Sequence, residues 1–191
     1  MPKTIQIKQN TEEWRLWRTE GLGGSDAPII LGMSPYKTRE KLLDEKVRRL
    51  TAFEVTSAMQ RGHNLEPKAR DKYQRESLLI FPATTMEHEE YPYIKASLDG
   101  FNEENNVALE IKCPNRYDHL TAKAGFIPDK YKAQCQHLLM VSGANSLHYV
   151  SFDGEFNASV LVRPDEDFQK VLLEEEIRFW EEVQAMRTKA S

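Results

Sequence analysis

Apolar and polar residues alternate over residues 4–8, which predicts a short opening strand. Asn10 stands three residues before Glu13, a pair that can cap a helix running through Trp14 and Arg18. Gly21, Gly23 and Gly24 follow, and glycine's tolerance of left-handed backbone suits a helix stop or a tight turn. Helical character resumes over 25–31 and breaks at Gly32-Met33-Ser34-Pro35. It returns after Thr38, which can cap a helix over about 39–49. A longer helix is predicted over about 57–76, with Leu65, Ala69 and Tyr73 at helical spacing. Three strand-like segments come next, at 78–81, 91–97 and 107–112. The turn-formers Asp99-Gly100 and Asn105-Asn106 separate the last two, as in a hairpin with a longer loop. Residues 130–141 read as helix and 147–152 as apolar strand. Residues 165 to about 188 read as an amphipathic helix whose Phe168, Leu172, Phe179 and Trp180 belong to core packing. Helix, three strands, helix and strand imply an α/β fold, a mixed central sheet flanked by helices.

Composition narrows the class without naming a function. The 191 residues are 40% hydrophobic and 29% charged, and no repeat or Pro/Gly/Ser-rich linker divides them, so residues 1–191 are expected to form a single domain. There is no run of eighteen apolar residues and no secretory leader pattern at the start, so neither a membrane span nor export is expected. Cys113 and Cys135 make a poor disulfide framework, and no Cys/His spacing reads as a zinc site; a reducing cytoplasm is the expected setting. A net charge of −4 lacks the basic footprint of a nucleic-acid binder. Much of the acid lies in 164–182, however, and a local basic groove can coexist with an acidic exterior.

The chemistry concentrates in Ser97-Leu98-Asp99-Gly100 and Leu109-Glu110-Ile111-Lys112-Cys113-Pro114. On a strand Glu110 and Lys112 share a face, while Leu109 and Ile111 turn into the core. Charged groups between apolar ones on a central strand are costly unless paired or used. If the strand ending at Asp99 is the hairpin partner, Asp99, Glu110 and Lys112 converge at one sheet edge. Hard carboxylate oxygens suit Mg²⁺, and a lysine there can orient or help deprotonate water and counter the charge of a phosphodiester transition state. Taken alone, the same residues are also compatible with a strand-end salt bridge beside a turn.

Together with Gly62-x-x-x-Glu66-Pro67 on the preceding helix and Tyr131-x-x-Gln134-x-Gln136 on the following one, these motifs resemble the phage lambda exonuclease and YqaJ-like viral recombinase family of the PD-(D/E)xK nuclease superfamily. Matching pieces extend from Arg18 to Phe152, although Ser97-Leu98 stands where the superfamily name places proline before Asp99. The resemblance implies a restriction-endonuclease-like core and an alkaline exonuclease. Such an enzyme degrades one strand of duplex DNA from a 5′-phosphorylated end to mononucleotides, leaving a 3′ single strand for recombination by annealing. It implies Mg²⁺, with Mn²⁺ as a substitute, held by Asp99, Glu110, Glu66 and Ile111, the last through its main chain. It further implies a homotrimeric ring around double-stranded DNA ends, a single-strand annealing protein as partner, and a phage or prophage setting in a bacterial host.

By the same resemblance Arg18 and Ser25 hold the terminal 5′-phosphate, a guanidinium and a hydroxyl being a sound pair for phosphate oxygens, and Ser97 can donate to the same group. Gln134 and Gln136 are two apart and cannot share a helix face, so one of them faces the site; the family pattern favours Gln136. Lys37 and Arg39 lie in a loop able to follow the DNA backbone. His88-Glu89-Glu90 cannot all face one ion on an extended strand and reads as surface. Two other functions use the same residues: a structure-specific or restriction-like endonuclease, and a catalytically inactive DNA-end-binding module.

Overall fold

The computed structural model describes residues 2–51 and 56–190. The elements, in chain order, are β1 (Lys3–Ile5), α1 (Glu12–Thr19), β2 (Leu22–Gly23), α2 (Ala27–Ile30), α3 (Arg39–Val47), α4 (Ser57–Ser77), β3 (Thr84–Glu87), β4 (Ile94–Leu98) and β5 (Gly100–Asn102). They continue as β6 (Val107–Lys112), α5 (Arg116–Lys123), α6 (Asp129–Ser142), β7 (Ser146–Phe152), β8 (Asn157–Val162) and α7 (Glu166–Ala190). The strands form two four-stranded sheets, ordered β1-β3-β4-β2 and β5-β6-β7-β8. Both are mixed: β2 runs parallel to β4 and β6 parallel to β7, while the other pairs are antiparallel. Asp99 is the single residue between β4 of one sheet and β5 of the other.

The near-continuous apolar run of β6 follows from burial on both faces, as parallel strands require. On one face Leu138, Leu139 and Val141 of α6 pack with Ala96, Leu98, Ala108, Leu147 and Tyr149. On the other, Ala69 and Tyr73 of α4 pack with Phe81, Leu109, Ile111, Val150 and Phe152. A third cluster joins Ile29, Ile30, Leu42 and Leu43 to Phe179, Trp180 and Val183 around Leu22. It docks α7 against the segment that follows α1. Among the described residues no helix is long and apolar enough to cross a membrane.

Several local expectations need correcting. The cap of α1 is Thr11, whose hydroxyl accepts from the Trp14 N–H, while Asn10 sits outside the helix at a φ of 67°. Gly21, Gly23 and Gly24 are not in the left-handed region. Gly21 is required for close approach: a Cβ there would lie 2.3 Å from the Tyr93 carbonyl oxygen, whose acceptor is taken by the Leu22 N–H. The strand expected over 78–81 does not form. Leu78 takes the left-handed cap of α4 and is 88% exposed, so only Phe81 of that apolar run is buried in the core. The partner of β6 is β5, which begins after Asp99, and not the strand that ends before it.

Gly100 shows how tightly this junction is built. A Cβ on Gly100 would stand 2.4 Å from the Phe81 Cβ and 2.9 Å from its carbonyl oxygen. Gly100→Ala therefore overpacks the sheet junction and is expected to cost about 1–3 kcal/mol. Denaturant melts of the two proteins check this, and an unchanged midpoint would show that the junction yields easily.

Candidate active site

The site starts from the pleat of two strands. On β6, Glu110 and Lys112 project from one face, and the Lys112 ammonium lies 2.5 Å from Glu110 Oε1. The Gln134 side-chain amide, on α6, donates to the same oxygen at 2.7 Å. Lys112 also stands over the Tyr131 ring at 5.4 Å, so α6 supplies both a donor and an aromatic wall. Asp99, at the sheet junction, accepts the Ile111 backbone N–H at 2.7 Å. That bond ties the junction carboxylate to the middle of β6. Glu66 approaches from α4, held by Arg70 one turn on at 2.5 Å.

The electrostatics are those of crowded carboxylates. Burial pushes Asp99 well above the usual carboxylate range, and the charges of Glu110 and Glu66 add to the push; Lys112 and the Ile111 N–H only partly offset it. Glu110 is likewise raised, by burial first and by Glu66, against the pull of Lys112. Burial draws Lys112 down, but Glu110 and Asp99 outweigh it and hold the ammonium charged well above its ordinary range.

Among the described residues no three acidic, histidine or cysteine side chains converge as a ready cage for an ion. Each carboxylate is engaged by Lys112 and Gln134, by the Ile111 amide, or by Arg70. The donor set nevertheless fits a hard divalent cation in kind. It offers carboxylate oxygens, with mutual repulsion between Asp99, Glu110 and Glu66 that a cation would relieve.

A second cluster forms along β4. Lys95 and Ser97 fall on one side of the strand, and α1 lies over it. The Lys95 ammonium donates to the Trp17 carbonyl, and the Trp14 indole N–H donates to Ser97 Oγ at 2.8 Å. Arg18 stacks on the Trp14 ring at 4.6 Å and donates to Ser25 Oγ at 2.8 Å. Arg18, Ser25 and Ser97 thus come together around one tryptophan, with Ser25 exposed and Arg18 half-buried. Ser97 lies one residue inside the end of β4 and Asp99 one residue beyond it.

Other expected residues lie elsewhere. Gln136 turns away from the site: it donates to the Arg163 carbonyl and accepts from the Asp165 N–H and the Gln169 amide. The glutamine against Glu110 is Gln134. Lys37 is paired with Glu45 at 2.6 Å; Arg39 is paired with Glu182 at 2.7 Å and stacks on Phe179. Neither is a free loop cation. His88 accepts the N–H groups of Glu90 and Tyr91, with both glutamates exposed. His137 is fully buried between Glu176 and the Lys95 carbonyl. Sequence reasoning missed Trp14 as the link between Arg18 and Ser97. The signal available was an aromatic and a cation four apart on one helix face.

Comparison with known proteins follows the same lines. The YqaJ-like viral recombinase domain matches residues 13–145. The uncharacterized protein YqaJ of Bacillus subtilis (strain 168) is 28% identical over 179 residues, which cover 91% of this chain and 56% of YqaJ. The chain thus spans about half the length of that curated relative. The alkaline exonuclease LHK-Exo of Laribacter hongkongensis superposes with a TM-score of 0.82 at 27% identity, over 94% of this chain and 96% of LHK-Exo. LHK-Exo in complex with dAMP gives 0.83 at 26% identity, with the same coverage. A phage-related exonuclease from Haemophilus somnus 129PT, at 15% identity and a TM-score of 0.66 over 90% of this chain and 96% of that one, shares the fold.

Proposed function

Because the chain belongs to the YqaJ-like viral recombinase family, we propose that it is a divalent-metal-dependent exonuclease that removes mononucleotides from the 5′-phosphorylated end of duplex DNA. The observation that carries this reading is the placement of two clusters at the end of β4, around Ser97 and Asp99, two residues apart in the chain. Carboxylates with a charged lysine surround Asp99, and an arginine-serine cradle surrounds Ser97. A terminal phosphate in the cradle sets the next diester near Asp99. Resemblance to LHK-Exo, which has been crystallised with dAMP, supports a nucleoside monophosphate as the released product.

In this reading Asp99, Glu110, Glu66 and the Ile111 carbonyl hold Mg²⁺, for which Mn²⁺ can substitute. When bound, the ion supplies a Lewis acid and a water of lowered pKa. Gln134 fixes the Glu110 carboxylate, and Lys112 orients the water and offsets charge that gathers on the phosphorus oxygens. In the hydrolysis a water oxygen would form the new bond to phosphorus as the bond to O3′ of the terminal nucleotide breaks. The water gives up one proton to solvent and O3′ takes one from solvent, so the charges balance. The remaining strand then carries a fresh 5′-phosphate, the group the cradle binds, so each turnover regenerates the substrate end. A homotrimeric ring around the duplex and a strand-annealing protein partner, in a phage-type recombination setting, belong to the same proposal.

The test is purified protein on end-labelled linear duplexes and closed circles, with and without Mg²⁺. Mononucleotides from linear DNA alone support the proposal. Nicked circles turn it to an endonuclease, and retention of ends without cleavage turns it to a binding module.

The cradle makes its own prediction. A terminal phosphate carries more charge than an internal diester, so the Arg18 guanidinium favours phosphorylated ends. A charge-assisted contact of about 1.5–3 kcal/mol corresponds to a roughly tenfold to hundredfold preference over 5′-hydroxyl ends. Arg18→Ala is expected to erase most of that preference. Initial rates on both ends at one salt concentration measure it, and equal rates in the unaltered protein would remove the cradle from the mechanism.

A further inference from the structure

Directly beneath the Arg18–Ser25 pair lies a buried ion pair that the chemistry above does not use. Lys46, near the end of α3, and Asp26, next to Ser25, are 8% and 6% exposed, and the ammonium stands 2.8 Å from Asp26 Oδ2. The same ammonium donates to the Gly21 carbonyl at 2.7 Å and to the Arg18 carbonyl at 3.1 Å. Asp26 Oδ2 also accepts the Gly23 N–H at 2.9 Å. From the far side, Arg187 of α7 donates to the Lys46 carbonyl and to the Thr19 carbonyl. The contacts to the Arg18, Thr19 and Gly21 carbonyls and to the Gly23 N–H all fall on the backbone between Arg18 and Ser25.

A buried lysine and aspartate are a costly way to brace a turn, since apolar packing of similar volume often does as well. Here the pair also solves an electrostatic problem. Arg18 is close enough for its charge to act on Asp26. An unneutralised Asp26 would draw the guanidinium inward and oppose an incoming phosphate. With Lys46 on Asp26, the buried charges cancel and Arg18 donates instead to Ser25 at the exposed rim.

We infer that Lys46, acting through Asp26, is a positioning residue that keeps Arg18 available for a terminal phosphate and so sets the preference for phosphorylated ends. The inference rests on the cradle reading above. Lys46→Met leaves Asp26 uncompensated, and the ratio of rates on 5′-phosphate and 5′-hydroxyl duplexes is expected to fall close to one. The rate on hydroxyl ends should stay within about threefold of the parent. Asp26→Asn/Lys46→Met removes both charges and is expected to regain most of the ratio at a lower melting temperature. A brace with only a structural role would lower both rates together and leave their ratio intact. The double variant also serves as the test if Lys46→Met alone does not fold.

A Lys46→Met protein that keeps the phosphate preference overturns the inference while the cradle stands. So does a double variant that fails to regain the preference. Equal rates on both ends in the unaltered protein overturn the cradle and the inference together.

Discussion

Asp99→Asn is expected to abolish cleavage while leaving the metal-free protein at least as stable as the parent. The carbonyl of asparagine can still accept the Ile111 N–H, so the tie between the sheet junction and β6 survives. What disappears is a negative charge that burial, Glu110 and Glu66 all oppose. Loss of a metal-holding carboxylate is worth several kcal/mol at the transition state, and about 4 kcal/mol is roughly a thousandfold in rate. Single-turnover rates with saturating Mg²⁺ measure the loss. Cleavage within tenfold of the parent would remove Asp99 from the chemistry.

The same charges give stability a definite pH dependence. The folded-state pKa values of Asp99 and Glu110 lie above their unfolded values. Their contribution to stability is therefore fully present below the ordinary carboxylate range, near pH 4, and is lost as pH rises through the raised values. Melting temperatures in a chelator should fall from mildly acidic pH upward, and fall less in Asp99→Asn. Added Mg²⁺ favours the ionised forms, so its stabilising shift should grow with pH in the parent and shrink in the variant. The proposed function, which needs clustered carboxylates, thus runs against the stability of the metal-free protein.

The parts of this arrangement legible in the sequence were those written in strand alternation. Glu110 and Lys112 on one face, with Leu109 and Ile111 in the core, need only the pleat. The pairing of Arg18 with Ser25 came from the family resemblance and not from the pattern of the chain; the structure joins the two by a hydrogen bond. Other elements broke the patterns on which such reasoning depends. Helix α5 was missed because its polarity is inverted: Asp118 and His119 are buried while Tyr117 and Leu120 are exposed. Strand β3 is Thr-Thr-Met-Glu, too polar to stand out, yet Thr85 and Met86 are buried. Strand β8 lies at a sheet edge, with Leu161 exposed.

Which glutamine faces the site depends on the rotation of α6 about its axis, and that is fixed by the start of α7, whose approach takes up Gln136. Periodicity alone says only that Gln134 and Gln136 face different ways. Lys46 was invisible for a related reason. A lysine near the end of a helix ordinarily reads as a solvated cation favoured by the dipole, and its burial follows from α7 docking across the α3 terminus.

In the metal-free site the ionisation of Lys112 favours one of two roles that sequence alone leaves open. A general base must lose its proton near the working pH, whereas Glu110 and Asp99 hold this ammonium charged. Lys112 is therefore expected to act as a cation and donor toward the water and the phosphoryl oxygens. Lys112→Met should lower kcat and kcat/KM together by about a hundredfold to ten-thousandfold, the pattern of an interaction made in the transition state. Duplex binding with Ca²⁺ in place of Mg²⁺, read by anisotropy, should change little. The pH profile separates the roles. If carboxylate ionisation controls the rising limb, the variant keeps that limb at a lower height. If the limb vanishes with the side chain, Lys112 is the titrating base, and the electrostatic role assigned to it is wrong.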